Sequence, residues 1–165
     1  MTADRFLANP QVLESLYGHP PELRGVRVRS VNLNWRGPTL TLRVDMPTYP
    51  RVPPQEWADA GMDTVQCQLQ FLAVERLALS GWSPPVVGDI ETASLGIERR
   101  MRVTIDGKGT SLRFDCAESV RVGHVSAFSI GADGSDDGRH LFMSKVDARR
   151  YSTLPGTEEK TFYER

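Results

Sequence analysis

From Val26 to Phe128 the hydrophobic residues of this chain alternate with polar ones at a period of two, the pattern of half-buried β-strands. Val26 and Val28 alternate with Arg27 and Arg29, and the apolar phase then slips and resumes at Val31, Leu33 and Trp35. A slip of one residue sends side chains to the opposite face of a strand, so the spacing predicts a β-bulge near Arg29-Ser30. Arg36-Gly37 makes a tight connection into Leu40, Leu42, Val44 and Met46, which completes a hairpin. Val65, Cys67, Leu69 and Phe71 alternate with Thr64, Gln66, Gln68 and Gln70 in the clearest strand of the chain. Val74, Leu77 and Leu79 lead into another strand that ends at Gly81-Trp82. Weaker patterns predict strands over 87–90 and 97–105, and Asp106-Gly107-Lys108-Gly109 turns the chain into Leu112, Phe114 and Cys116. Val120, Val122, Val125 and Phe128 mark a last long strand, and 141–146 a further one.

Helical spacing is confined to short stretches. Pro10 suits a first helical turn, and Val12, Leu13, Leu16 and Tyr17 share one face until Gly18 ends the segment. A proline-rich connection from Pro47 to Pro54 precedes Gln55-Glu56-Trp57-Ala58, a short helical turn. Residues 131–138, rich in glycine and aspartate, read as a loop, and 152–165 as an extended tail. Successive β units joined by short connections predict a mostly β, α+β-at-the-margin fold. Its sheet is antiparallel, curled or sandwiched, with a short N-terminal helix. Residues 1–165 form a single domain, with a β core over 1–130 and a loop and C-terminal extension over 131–165.

Composition narrows the function classes. Of 165 residues, 39% are hydrophobic and 25% charged, enough apolar material for a packed core. Twenty basic side chains nearly balance 21 acidic ones, without the clustered basic excess that nonspecific nucleic-acid or acidic-membrane binding requires. No run of apolar residues reaches the roughly 20 that a membrane helix needs. The N-terminal stretch lacks a basic segment followed by an apolar one, so the expectation is a cytoplasmic protein without a secretory signal. In that reducing compartment Cys67 and Cys116, both on apolar phases of strands, are expected to be buried free thiols.

Reactive chemistry is hard to find. His19, His124 and His140 have no second ligand at a spacing that would place two on one helical face. His124, amid Val122, Val125 and Phe128, reads as structural. There is no nucleophile elbow, no phosphate-binding glycine loop and no CxxC or HExxH motif. The acidic loop is the nearest approach to a metal motif, yet it lacks the ligand order of a calcium-binding loop, and its composition favours a solvated, mobile loop. No catalytic, cofactor-binding or metal-ligating residue is assigned.

The polar phase of the strands is more informative. It reads Asn32 and Asn34, then Thr39 and Thr41, then Gln66, Gln68 and Gln70, where wet sheet faces ordinarily carry lysine and glutamate. Amides and hydroxyls hydrogen-bond without the cost of desolvating a charge, so this face is either a recognition platform, a surface packed under another segment, or an ordinary wet face. Candidate partner-binding residues are therefore Asn32, Asn34, Gln66, Gln68 and Gln70, with Asp133, Asp136 and Asp137 of the acidic loop for a basic partner. Trp35, Trp57 and Trp82 are expected to act as core lids.

Several short motifs occur in a definite order: Asn9-Pro10, Leu16-Tyr17-Gly18, Pro21-Glu22-Leu23, Gly37-Pro38-Thr39-Leu40-Thr41-Leu42 and Pro53-Pro54-Gln55-Glu56-Trp57. After them come Val65-Gln66-Cys67-Gln68-Leu69-Gln70-Phe71, Leu79-Ser80-Gly81-Trp82 and Val125-Ser126-Ala127-Phe128. Over about residues 6–130 this series resembles the immunity protein 50 family of bacterial polymorphic toxin systems. The resemblance implies a small, mainly β, cytosolic protein that binds and neutralises a cognate toxin domain, without catalytic residues of its own. Two readings of the residues compete with it. One is a non-catalytic small-ligand or carbohydrate-binding β domain that uses the amide face with Trp35 or Trp82; the other is an enzyme whose carboxylates are joined only in space.

Overall fold

The computed structural model describes residues 3–144 and 147–148. A 3-10 turn over Ala3–Phe6 and helix α1 (Gln11–Tyr17) come first, and β1 (Val26–Asn34) and β2 (Thr39–Asp45) follow. A short helix α2 (Gln55–Asp59) precedes β3 (Thr64–Phe71), β4 (Glu75–Ser80), β5 (Val86–Ser94), β6 (Arg100–Gly107), β7 (Thr110–Ala117), β8 (Val120–Phe128) and β9 (Leu141–Phe142). The strands form one antiparallel sheet in the order β4-β7-β6-β5-β1-β2-β3-β8-β9, and it does not close.

The strand order forces the sheet to curl. Laid flat, β3 and β4 would lie about 29 Å apart at about 4.8 Å per strand. The chain joins them through Leu72, Ala73 and Val74 alone, a link that spans at most about 14 Å. A comparably short link, Glu118-Ser119, joins β7 to β8 from opposite sides of the same order. The sheet therefore folds over itself, and the fold line lies at β1 and β5. These strands pair only over Val26–Val28 and Val86–Gly88, whereas β5 pairs β6 over seven residue pairs. Ala117 N–H then donates to the Leu72 carbonyl at 3.0 Å, and the rings of Phe71 and Phe114 meet edge to face at 5.1 Å across the interior.

The core occupies the inside of that curl. Leu40, Leu42 and Val44, Val65, Cys67, Leu69 and Phe71, and Val120, Val122, Val125 and Ala127 face Met101, Val103, Ile105, Leu112, Phe114 and Cys116. Leu13 and Leu16 of α1 and Trp57 of α2 complete it, so Trp57 is a core residue as expected. Both cysteines are buried free thiols, with burial pushing each up to about 12.

The bulge read from the phase slip is present: the register passes from Val28↔Val44 to Ser30↔Arg43 and leaves Arg29 as the inserted residue. A second bulge, between Gln66 and Gln68, sets Cys67 against two residues of β8, and His124 there adopts a positive φ of 50°. Three strand readings need correction. Ile97 belongs to the turn before β6, which begins at Arg100; β5 runs on to Ser94; and β9 is only Leu141–Phe142. Lys145, Val146 and the stretch 152–165 lie outside the described residues.

Candidate functional site

The outer face of β1, β2, β3 and β8 is built in cross-strand rows. Register places Asn34 beside Thr39; Asn32, Thr41, Gln70 and Arg121 in the next row; then Ser30, Arg43 and Gln68; and finally Asp45, Gln66 and Ser126. The amide-rich face of the sequence is therefore one surface. Its two halves differ in what covers them.

At the Asp45 end the face is covered. Gln66 and Gln68 are only 1% and 2% exposed, so the reading of a wet sheet face does not hold there. The covering element is the acidic loop. Asp136 folds inward, accepts a hydrogen bond from Gln66 Nε2 at 2.8 Å, and lies 3.5 Å from Arg29 Nη1 and 3.6 Å from Arg43 Nη2. Arg29 forks onto Asp45 with contacts of 2.9, 3.0 and 2.6 Å and also donates to the Gly134 carbonyl at 2.8 Å. The bulge adds Arg29 between Val28 and Ser30, so Asp45 has a second arginine beside its cross-strand neighbour Arg27. Burial opposes the Arg29 charge, and the hydrogen bonds and charges of Asp45, Asp136 and Asp137 outweigh it and raise its pKa.

His140 locks the far side of the loop. Its ring stacks on Phe128 with centroids 4.7 Å apart, and it lies 2.9 Å from Ser126 Oγ and 3.0 Å from the Asp136 carbonyl. With Nε2–H donating to that carbonyl, Nδ1 accepts from the serine hydroxyl, which is the neutral tautomer. Burial pushes its pKa below the usual histidine value. His124, buried in β8, meets Asp147 Oδ1 at 3.1 Å. Two of the candidate residues, Gln66 and Asp136, are thus brought into contact with one another. Asp133 and Asp137 remain exposed, and Asp133 is held below the usual carboxylate range by its hydrogen bonds from Ser135.

At the other end the face is open. Asn32, Asn34 and Gln70 are half-buried and Arg121 is exposed. Trp35, in the β1–β2 turn, is 82% exposed with the Arg36 guanidinium 5.0 Å over its ring, which corrects its reading as a core lid. Leu33 and Ile97 are also exposed at this pole. Arginines gather here with their acids: Arg76 and Arg100 act on Asp115, which pairs across from Glu75, Arg100 meets Glu75 at 3.0 Å, and Arg5, Arg36, Arg99 and Arg121 are exposed. Sequence spacing does not reveal this grouping, because the residues come from turns and strand ends scattered along the chain.

Among the described residues, two of the clefts lie elsewhere. One, of about 700 Å³, runs between the end of α1 and the proline-rich connection and is lined by Tyr17, His19, Tyr49 and Arg51. The other, of about 380 Å³, crosses β4, β7 and β6. Neither of these two is lined by the amide face, Trp35 or Trp82. Among the described residues no cluster of three or more His, Cys, Asp or Glu side chains is placed to hold a metal ion, and no helix is long and apolar enough to cross a membrane.

The fold and its surface define a curled antiparallel β protein with a preformed polar outer face. The chain belongs to the Immunity protein 50 family, whose model matches residues 9–128, from just before α1 to the end of β8. No curated protein and no solved structure matches the chain. The loop that covers Gln66 lies beyond the matched stretch.

Proposed function

We propose that this protein acts in the cytoplasm as the immunity partner of a polymorphic toxin, binding the cognate toxin domain stoichiometrically and neutralising it without chemistry of its own. Family membership carries the reading, since the match spans the whole framework from α1 to β8. The physical form agrees with it. An inhibitor of this kind needs a rigid surface of about 800 Å² per partner, and a curled sheet held by interior packing supplies one without reorganisation. The residues offered to the partner are those the loop leaves uncovered: Asn32, Asn34 and Gln70 on the open half of the face, and Asp133 and Asp137 on the outer side of the loop.

Gln66, Gln68 and Asp136 serve in this reading as the support of that surface. Co-expression with the toxin domain encoded beside this protein tests the proposal. Rescue of growth together with co-purification is the expected result; toxicity that persists at full expression of the folded protein overturns it.

A further inference from the structure

We infer that the uncovered edge of β1, from Ser30 to Asn34, captures an extended acidic segment of the partner protein by strand addition; the inference rests on the toxin-binding reading and names the surface that would serve it. β1 pairs with β5 only at Val26–Val28, and beyond the Arg29 bulge the two strands part. Among the described residues no backbone pairs with Ser30–Asn34 on the side away from β2. A row of peptide groups without strand partners is a template for another extended chain, and folded proteins usually blunt it with charge, proline or a bulge. The outermost strand β4 is blunted in this way. It carries Glu75 and Arg76, a register shift between Glu75 and Ala78, and a positive φ of 55° at Arg76. The β1 edge has none of these within Ser30-Val31-Asn32-Leu33-Asn34, and it ends in exposed Leu33 and Trp35.

The charge of the pole selects the occupant. The edge runs into the β1–β2 turn, where the exposed Arg36 guanidinium lies 5.0 Å over the ring of exposed Trp35. A β-segment with acidic side chains would therefore gain backbone hydrogen bonds along Ser30–Asn34, apolar contact with Leu33 and Trp35, and attraction from Arg36. Backbone pairing of this kind supplies affinity, while the flanking side chains supply the choice of partner.

The test uses the full chain and the toxin domain encoded beside it. Leu33→Lys blunts the edge at a side chain that is 57% exposed, so the fold is retained and thermal unfolding verifies that. Binding is expected to weaken about tenfold or more. Arg36→Glu is expected to slow association and flatten its salt dependence. Leu79→Lys on the β4 edge is the control and should bind as wild type. Hydrogen exchange of the complex should show new protection at the alternate amides of Ser30–Asn34 that point away from β2. Wild-type affinity in folded Leu33→Lys, or new protection on β4 instead, overturns strand addition while leaving toxin binding intact. A concentration-dependent dimer that Leu33→Lys abolishes assigns the edge to a second copy and overturns the acidic partner. Absence of any wild-type binding or rescue overturns the toxin reading and this inference with it.

Discussion

Gln66 Nε2 donates to Asp136 Oδ2 at 2.8 Å across 70 residues of sequence, and the same amide nitrogen lies 2.9 Å from Asp45 Oδ1. One side chain thus ties the centre of the sheet to a loop that composition alone reads as solvated. Asp136→Ala removes the acceptor for Gln66 and the negative charge beside Arg29 and Arg43. We expect a loss of about 1–3 kcal/mol in denaturant unfolding, and faster hydrogen exchange confined to residues 131–142. Exchange unchanged in that segment would show that the loop is held by other contacts.

The Arg29–Asp45 pair is nearly solvent-free, with side chains 7% and 5% exposed. Breaking one partner of such a pair strands a charge, which costs far more than the pair itself contributes. Asp45→Ala is therefore expected to destabilise by about 3–5 kcal/mol, read from the shift in denaturant midpoint at constant slope. Replacing both groups with apolar residues, Arg29→Met with Asp45→Leu, should recover most of that loss. A double variant no more stable than Asp45→Ala would contradict the stranded-charge account.

His140 gives the fold a pH dependence of definite sign. Burial lowers its pKa in the folded state, so folding favours the neutral ring. Above the ordinary histidine value of about 6.5 both states are neutral and the full stability is present. As the pH falls through that value the unfolded chain takes up the proton first, and stability declines until the folded pKa is passed. Thermal unfolding between pH 7.5 and pH 5 should show this decline, and His140→Phe, which keeps the stack on Phe128, should reduce it. An identical pH slope in that variant would assign the dependence to other groups.

Cys67 and Cys116 should be inert while the protein is folded. Both thiols are buried, and burial holds each near a pKa of about 12, so thiolate is scarce at neutral pH. A thiol-specific chromogenic reagent is expected to modify neither without denaturant and both on unfolding. Fast modification of the native protein would place a thiol on the surface.

The sequence announces the framework because its signal is local. Alternation at Val65–Phe71 and the phase slip at Arg29 each rest on residues a few positions apart, and both reappear as a strand and a bulge. The failures are non-local. Nothing near Gln66 indicates that Asp136 will cover it, so a glutamine row exposed on a lone strand becomes buried only once the loop folds back. Trp35 fails for a related reason. Its phase matches the core, but β1 pairs with β5 only at Val26–Val28, well before Trp35, which is 82% exposed. The grouping of arginines emerges only when the strand order brings five separate segments to one end.

Titrating the toxin domain's activity with purified protein tests the central claim most directly. Neutralisation by a preformed surface predicts a linear fall in activity that ends at one equivalent, independent of incubation time, with the toxin recovered intact from the complex. Inactivation continuing with time at a small fraction of an equivalent would mean turnover, and would contradict the account.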